Sequence, residues 1–375
     1  MDFDLTEEQK RSQQGARALA TRDLAPRAAE LDHAGRLPEG FTRRLGDAGL
    51  LGLTIPAEHG GSGGDLVSLA LVIEEIAVAC ASSAALVGTH VTVVCRVLFA
   101  AGTNEQKRKY LAPLARGLSL GTAAMPDPAE PPSLFAEPDA SGGLLLDGEI
   151  GPVTLGRDAD VFLAFAATNR TPDDPRLIAL LVPKAAPGLE IVPVESGVGR
   201  RAAGAATLRA RGVRVDAADV IGAAGDGAAI AAAALEDARI AVAAEAIGVA
   251  RVAFEKAAAH VKGTQDRVKT PGLLGAQAQL ADMSVDIEAA RLLVLRAAHL
   301  ADRGSPSSAE RSMGKLFASE MSTRVVHHAM EILGARGGGA GEGLGRHFRD
   351  ARTTELVEES SGTQRSIIAQ TMLKG

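Results

Sequence analysis

Tryptophan is absent, tyrosine occurs once, at Tyr110, and aromatic side chains make up 3% of the 375 residues. The core must therefore be filled by small aliphatics, which suits closely packed helices. Cysteine is nearly as scarce. Cys80 and Cys95 are the only two; they lie on one apolar stretch without the spacing of a zinc site or a CxxC pair. That excludes a disulfide framework, gives no metal set, and leaves two reduced core thiols. An excess of positive charge is also missing. With 40 Lys and Arg against 46 Asp and Glu, the formal net charge is −6, and no basic stripe forms for a phosphate backbone, so nucleic acid is excluded as a partner. The opening MDFDLTEEQK is acidic and has no apolar core of a secretory signal, so a cytoplasmic location is expected. One long apolar run exists, Ile76 to Val94, free of Asp, Glu, Lys and Arg. It is marginal in length, flanked by Glu74, Glu75 and Arg96, and interrupted by hydroxyls. A buried helix pair is expected there and not a membrane span.

What is present describes a folded chain, with 46% apolar and 23% charged residues, near globular averages. From Leu5 to about Gly117 apolar positions recur every three or four residues, with breaks at Pro26, Pro38, Gly60 to Gly64, Gly102 and Pro113, which predicts an N-terminal α-helical domain over 1–117. Thr6, followed by Glu7, Glu8 and Gln9, is a helix start: the hydroxyl caps free amides and the acids face the positive helix end. Short β-favouring runs then appear at Leu144–Leu146, Val161–Thr168, Leu177–Val182, Leu189–Val194 and Thr207–Val215, a small β domain over 118–222. Asp147-Gly148 between apolar flanks signals a tight turn, and Pro126 to Pro138 reads as an irregular surface loop. Over 223–375 the helical period returns in long stretches, Gly227–Lys262, Leu273–Asp302 and Ser307–Leu333, then a glycine-rich loop and a last helix near Thr353–Leu373. A C-terminal four-helix bundle follows, whose outer faces pack on other subunits.

Several motifs stand in order on this frame. Leu45-Gly46-Asp47-Ala48-Gly49-Leu50 leads to Ile55-Pro56-Ala57-Glu58-His59-Gly60-Gly61-Ser62-Gly63-Gly64-Asp65 and then Glu74-Glu75. Further on come Leu235-Glu236-Asp237-Ala238-Arg239, Leu280-Ala281-Asp282-Met283, and Arg349-Asp350-Ala351 with Gln364-Arg365 in step behind it. Along essentially the whole length the sequence resembles the acyl-CoA dehydrogenase family. The resemblance implies an α+β, mainly α fold: an N-terminal helical domain, a middle β-barrel or sandwich-like domain and a C-terminal four-helix bundle. It also implies α,β-dehydrogenation of an acyl-CoA thioester with FAD as cofactor.

Counting from Arg349 without gaps, the resemblance places Glu358 at the family's catalytic base. A carboxylate suits that position because a hydrogen-bonded thioester carbonyl stabilises the enolate left when an α-proton is removed. By composition alone, Glu358 beside Glu359 is equally a solvated acid on a terminal helix. Arg239 follows the family's CoA-binding arginine; read from its neighbours alone it is a helix-surface residue paired with Glu236 or Asp237. Thr154 keeps the hydroxyl of the family's Trp-x-Thr, which becomes Pro152-Val153-Thr154.

Departures gather on the flavin side. The family's Thr-Glu-Pro-Gly-Ala-Gly-Ser-Asp loop becomes Pro126-Asp127-Pro128-Ala129-Glu130-Pro131-Pro132-Ser133, losing a hydroxyl and backbone N–H groups. Arg-x-x-Phe-Gly becomes Gly263-Thr264-Gln265-Asp266-Arg267, with Arg267 and Lys269 as the nearest replacements for its charge. Gln-x-x-Gly-Gly-x-Gly becomes Glu331-Ile332-Leu333-Gly334-Ala335-Arg336-Gly337, and the run Gly337-Gly338-Gly339-Ala340-Gly341 reads as a connector. Several flavin-contacting motifs are thus altered together, as expected of the flavin-poor subunit in heteromeric bacterial acyl-CoA dehydrogenases of lipid or steroid catabolism. The expected partners are an acyl-CoA thioester, a homologous subunit in a hetero- or homotetramer, and an electron-transfer acceptor wherever flavin is bound. Alternatives are a self-sufficient FAD-dependent homotetramer, a flavin-independent lyase or isomerase on acyl thioesters, and a scaffold.

Overall fold

The computed structural model describes residues 4–126, 130–140, 142–169, 171, 176–195, 197–265, 271–338 and 343–374. Asp127, Pro128 and Ala129, then Asp266, Arg267 and Lys269, and Gly339, Ala340 and Gly341 lie outside the described residues.

Short helices open the chain: α1 Glu7–Leu19, α2 Ala28–Ala34, α3 Phe41–Asp47, α4 Leu66–Ala79, α5 Ala81–Thr89, α6 Arg96–Ala101, α7 Asn104–Gln106 and α8 Ala112–Ala115. The first begins where its sequence says it should. The Thr6 hydroxyl accepts from the Gln9 amide and the Gln9 side chain accepts from the Thr6 N–H, a reciprocal cap that satisfies two donors a helix end leaves open. The apolar run is a helix pair: Cys80 turns extended (φ −155°, ψ 107°) and separates α4 from α5. A π-helical segment, His90–Cys95, continues α5 into α6. The stretch Ala81–Ala101 is long and apolar enough to cross a membrane, yet 72% of its most apolar window is buried inside the fold.

Eight strands follow: β1 Gly121–Ala124, β2 Leu134–Pro138, β3 Leu144–Val153, β4 Val161–Ala167, β5 Leu177–Pro183, β6 Leu189–Pro193, β7 Ala206–Val215 and β8 Val220–Ile221. They form one mixed sheet in the order β6-β7-β3-β2-β4-β5-β8, with β1 parallel to β4. Every residue of β4 is buried, which explains its unbroken apolar sequence. Two expectations are corrected here. Asp147-Gly148 makes no tight turn; it lies inside β3, where the pairing with β7 shifts between Leu146 and Gly148. Gly148 (φ 124°) is needed at this bulge because a Cβ would come within 2.1 Å of the Ser133 carbonyl oxygen. The end of the Pro-rich loop is β2, whose Leu134 and Ala136 are buried against the sheet, so tertiary packing overrides a turn-rich composition.

Long helices complete the chain: α9 Gly227–Gln265, α10 Pro271–Asp302, α11 Ser308–Leu333, α12 Gly345–Leu356 and α13 Ser361–Lys374. The expected helix over Thr353–Leu373 is in fact the end of α12 and the whole of α13, separated by the turn at 357–360. The helical parts share one core. At its centre the buried acids Glu74 and Glu75 of α4 meet Arg17 from α1, Arg251 from α9 and Arg291 from α10, so these two carboxylates enter the core with their charge compensated. Beside the acid pair α9 crosses α4 at Gly248, where a Cβ would lie 2.4 Å from the Glu74 carbonyl oxygen.

Both cysteines are free and buried. His90 is a structural residue. Its Nδ1 accepts from the Gly121 N–H at 3.0 Å, its Nε2 lies 3.2 Å from the Leu114 carbonyl, and burial pushes its pKa down to about 4, keeping the ring neutral.

Candidate active site

The turn between α12 and α13 carries the centre of the site. Val357 is extended (φ −80°, ψ 158°), and Glu358 (φ 49°) and Glu359 (φ 71°) then both enter the left-handed region. Each such non-glycine residue costs roughly 1–2 kcal/mol, so surrounding contacts must hold the turn in place. Lys315, fully buried on α11, does so from below: its ammonium donates to the carbonyl oxygens of Glu355 (3.2 Å) and Glu359 (2.8 Å). Burial, aided by the Arg200 charge, lowers the Lys315 pKa to about 8. From the side, Nη2 and Nε of Arg239 donate to the Glu359 carboxylate at 2.6 and 3.2 Å, and Nη1 donates to Glu236 at 2.8 Å. Gln364, buried at the start of α13, reaches the same turn, while Arg365 points away to Glu320.

Held this way, Glu358 faces a narrow cleft between two helices. Its walls are two helical stripes: Ala84, Ala85, Gly88 and Thr89 of α5 with Thr92 beyond it, and Ala238, Ala241, Val242 and Glu245 of α9. Spacings of three and four put each set on one helix face. The helices come close because Gly88 has no side chain; a Cβ there would lie 3.1 Å from that of Ala241. Among the described residues no donor pairs with the Glu358 carboxylate and no acceptor takes its N–H. The side chain keeps some surface open to the cleft while protein surrounds it closely. That burial raises its pKa above the ordinary carboxylate range, with Arg200 and Lys315 opposing the shift and Glu359 adding to it.

The cleft also contains a pair that sequence reasoning missed. Arg200, 7% exposed, donates from Nε and Nη2 to both oxygens of Glu245, each at 2.7 Å. Asp350 of α12 accepts the Arg200 backbone N–H at 2.7 Å and fixes a left-handed residue (φ 53°). Burial raises the Glu245 pKa to about 7 even beside this cation. One signal was available: Glu245 is the only charge in the apolar stretch from Ile240 to Ala250.

The two other residues singled out from the sequence lie in different surroundings. Arg239 is 4% exposed, with every guanidinium nitrogen on an acid of its own chain, beneath the turn and not along an open surface. Thr154 is half-buried behind β3; its carbonyl accepts the Thr122 hydroxyl at 2.6 Å, and no described residue takes its own hydroxyl. Of the segments read as flavin-contacting, Pro126 has no N–H to offer, Pro152 is exposed, and Glu331 is an exposed acid contacting His327 and His328. A wider hollow lined by Lys109, Tyr110 and Asp219 lies elsewhere, and there Lys109 and Tyr110 are both spent on Asp219; the Glu358 carboxylate, unpaired among the described residues, lies at the narrower cleft. Among the described residues no three His, Cys, Asp or Glu side chains are grouped to hold a metal ion.

Comparison with known proteins converges. The family model described as acyl-CoA dehydrogenase, N-terminal domain, matches residues 6–118, and that described as acyl-CoA dehydrogenase, C-terminal domain, matches residues 225–373. The probable acyl-CoA dehydrogenase YngJ of Bacillus subtilis is 34% identical, with 100% of both chains covered. The short-chain specific acyl-CoA dehydrogenase of Clostridium acetobutylicum is 32% identical over 98% of this chain and 99% of its own. The butyryl-CoA dehydrogenase of Megasphaera elsdenii superposes with a TM-score of 0.95 at 30% identity, covering 100% of each chain.

Proposed function

The chain belongs to the acyl-CoA dehydrogenase family of flavoprotein oxidoreductases, and on that premise we propose that Glu358 removes the α-proton of an acyl-CoA thioester lying between α5 and α9. The observation that carries this reading is the free carboxylate: a closely surrounded glutamate with no protein partner among the described residues, its pKa raised by burial, at the mouth of a cleft between two helices. A base needs an unoccupied acceptor and a pKa moved toward working pH, and burial supplies the second. The thioester carbonyl accepts from the Glu358 N–H, which stabilises charge as it develops on oxygen.

The remaining roles follow from the placement. Arg239 braces the Glu359 side of the turn; holding the nucleotide end of CoA, as the resemblance implies, would require Glu359 to release it. Thr154 is the one hydroxyl retained toward a flavin. Because Pro126 and Pro152 supply no N–H or aromatic ring and Glu331 is an acid, we assign the hydride acceptor to a flavin-bearing homologous subunit in a hetero-oligomer. Purification is the test. Expressed alone, the chain is expected to show no flavin absorbance near 450 nm under added FAD, and to yield a yellow, active complex when co-expressed with such a homologue. A yellow, active protein from the single chain would overturn the hetero-oligomer.

A further inference from the structure

Arg200 and Glu245 have no part in the proton transfer, yet both line the cleft with Glu358. Arg200 is held as a built group. Asp350 fixes its backbone, Glu245 takes Nε and Nη2, and among the described residues no oxygen accepts from Nη1. That nitrogen is not among the fully enclosed polar atoms lacking a partner, so it retains access to solvent, and Arg200 lines this cleft. A buried guanidinium with one unused donor discriminates strongly between ligands, because its unmade hydrogen bond costs more than a made one gains.

Charge decides which ligand oxygen suits it. Glu245 already neutralises Arg200, and Glu358 adds an anion within electrostatic reach. A carboxylate on the acyl chain would bring a second net negative charge into an enclosed site. A hydroxyl or keto oxygen accepts the same N–H and adds none. We infer that Arg200 is a specificity-determining residue that selects acyl thioesters carrying a neutral oxygen, hydroxyl or keto, on the acyl chain. The inference rests on the cleft being the acyl thioester site.

Isothermal titration of the full-length protein, with no electron acceptor present, separates the two. The probes are butyryl-CoA, 3-hydroxybutyryl-CoA, 4-hydroxybutyryl-CoA and succinyl-CoA. One of the hydroxylated thioesters is expected to bind at least about ten-fold more tightly than butyryl-CoA, a difference of about 1.4 kcal/mol, and succinyl-CoA more weakly than that hydroxylated probe. Replacing both partners, Arg200→Met with Glu245→Met, removes the donor without stranding a buried charge, and is expected to erase the preference while butyryl-CoA still binds. Glu245→Gln keeps the donor and leaves Arg200 uncompensated, so succinyl-CoA is expected to gain relative to butyryl-CoA. Equal binding of butyryl and hydroxylated thioesters by the unaltered protein overturns the inference and leaves the cleft reading intact, as does a preference that survives in the double variant. Failure of every thioester to bind overturns the cleft reading and the inference together.

Discussion

At the residue scale, Glu359 holds together two opposed effects. Its left-handed backbone (φ 71°) suits glycine, and relief of the strain is worth roughly 1–2 kcal/mol. Against this, its carboxylate is the acceptor for two of the three nitrogens of buried Arg239, and leaving a buried charge half-paired costs roughly 3–5 kcal/mol when no partner remains. Glu236 remains, which moderates the loss. Glu359→Gly is therefore expected to lower the unfolding free energy by about 1–3 kcal/mol, read from the denaturant midpoint at unchanged slope. A variant more stable than the parent would mean that backbone strain, not the Arg239 pair, dominates this turn.

At the scale of elements, α9 organises the molecule: one face crosses α4 at Gly248, another forms a cleft wall from Ala238 to Glu245. Two glycines on this helix give a controlled comparison. Gly248→Ala puts a Cβ 2.4 Å from a backbone carbonyl oxygen of α4, whereas Gly263→Ala meets nothing within 4 Å. The first is expected to lower stability by roughly 2 kcal/mol or more through overpacking, and the second to raise it by up to about 1 kcal/mol through helix propensity, both by thermal or denaturant unfolding. Equal effects would contradict the close α4–α9 crossing. The long helices were legible in the sequence because their period and breaks are local, as were the Thr6 cap and five of the strands. The division of the last helix was not. Glu358 and Glu359 carry no helix-breaking chemistry of their own, and the turn exists because Lys315 and Arg239, distant in sequence, hold it. Likewise β2 and the Gly148 bulge depend on neighbours in the sheet, and Arg200 meets Glu245 only after segments 45 residues apart pack.

At the scale of the whole molecule, the proposed division of labour gives proton removal to Glu358 of this chain and the flavin to a homologous subunit. Glu358 was legible only through its step from Arg349; the fold adds the free carboxylate, the strained turn and the cleft. The segments read in the sequence as altered begin at Pro126, Pro152 and Glu331; the first two are prolines without an N–H to donate, and the third is an exposed acid. A chain of this kind is expected to perform the proton half of the reaction by itself. The direct measurement is exchange of acyl-CoA α-hydrogens with D₂O, followed by mass spectrometry on the purified chain with no flavin added. The account predicts deuterium incorporation whose rate rises with pH through a carboxyl pKa above the ordinary range, since burial raises Glu358 and the ionised form is the base. It also predicts a fall of roughly 10²–10⁴-fold in Glu358→Gln, with thioester binding retained. Exchange that persists unchanged in Glu358→Gln, or none at all in the parent with the thioester bound, would contradict it.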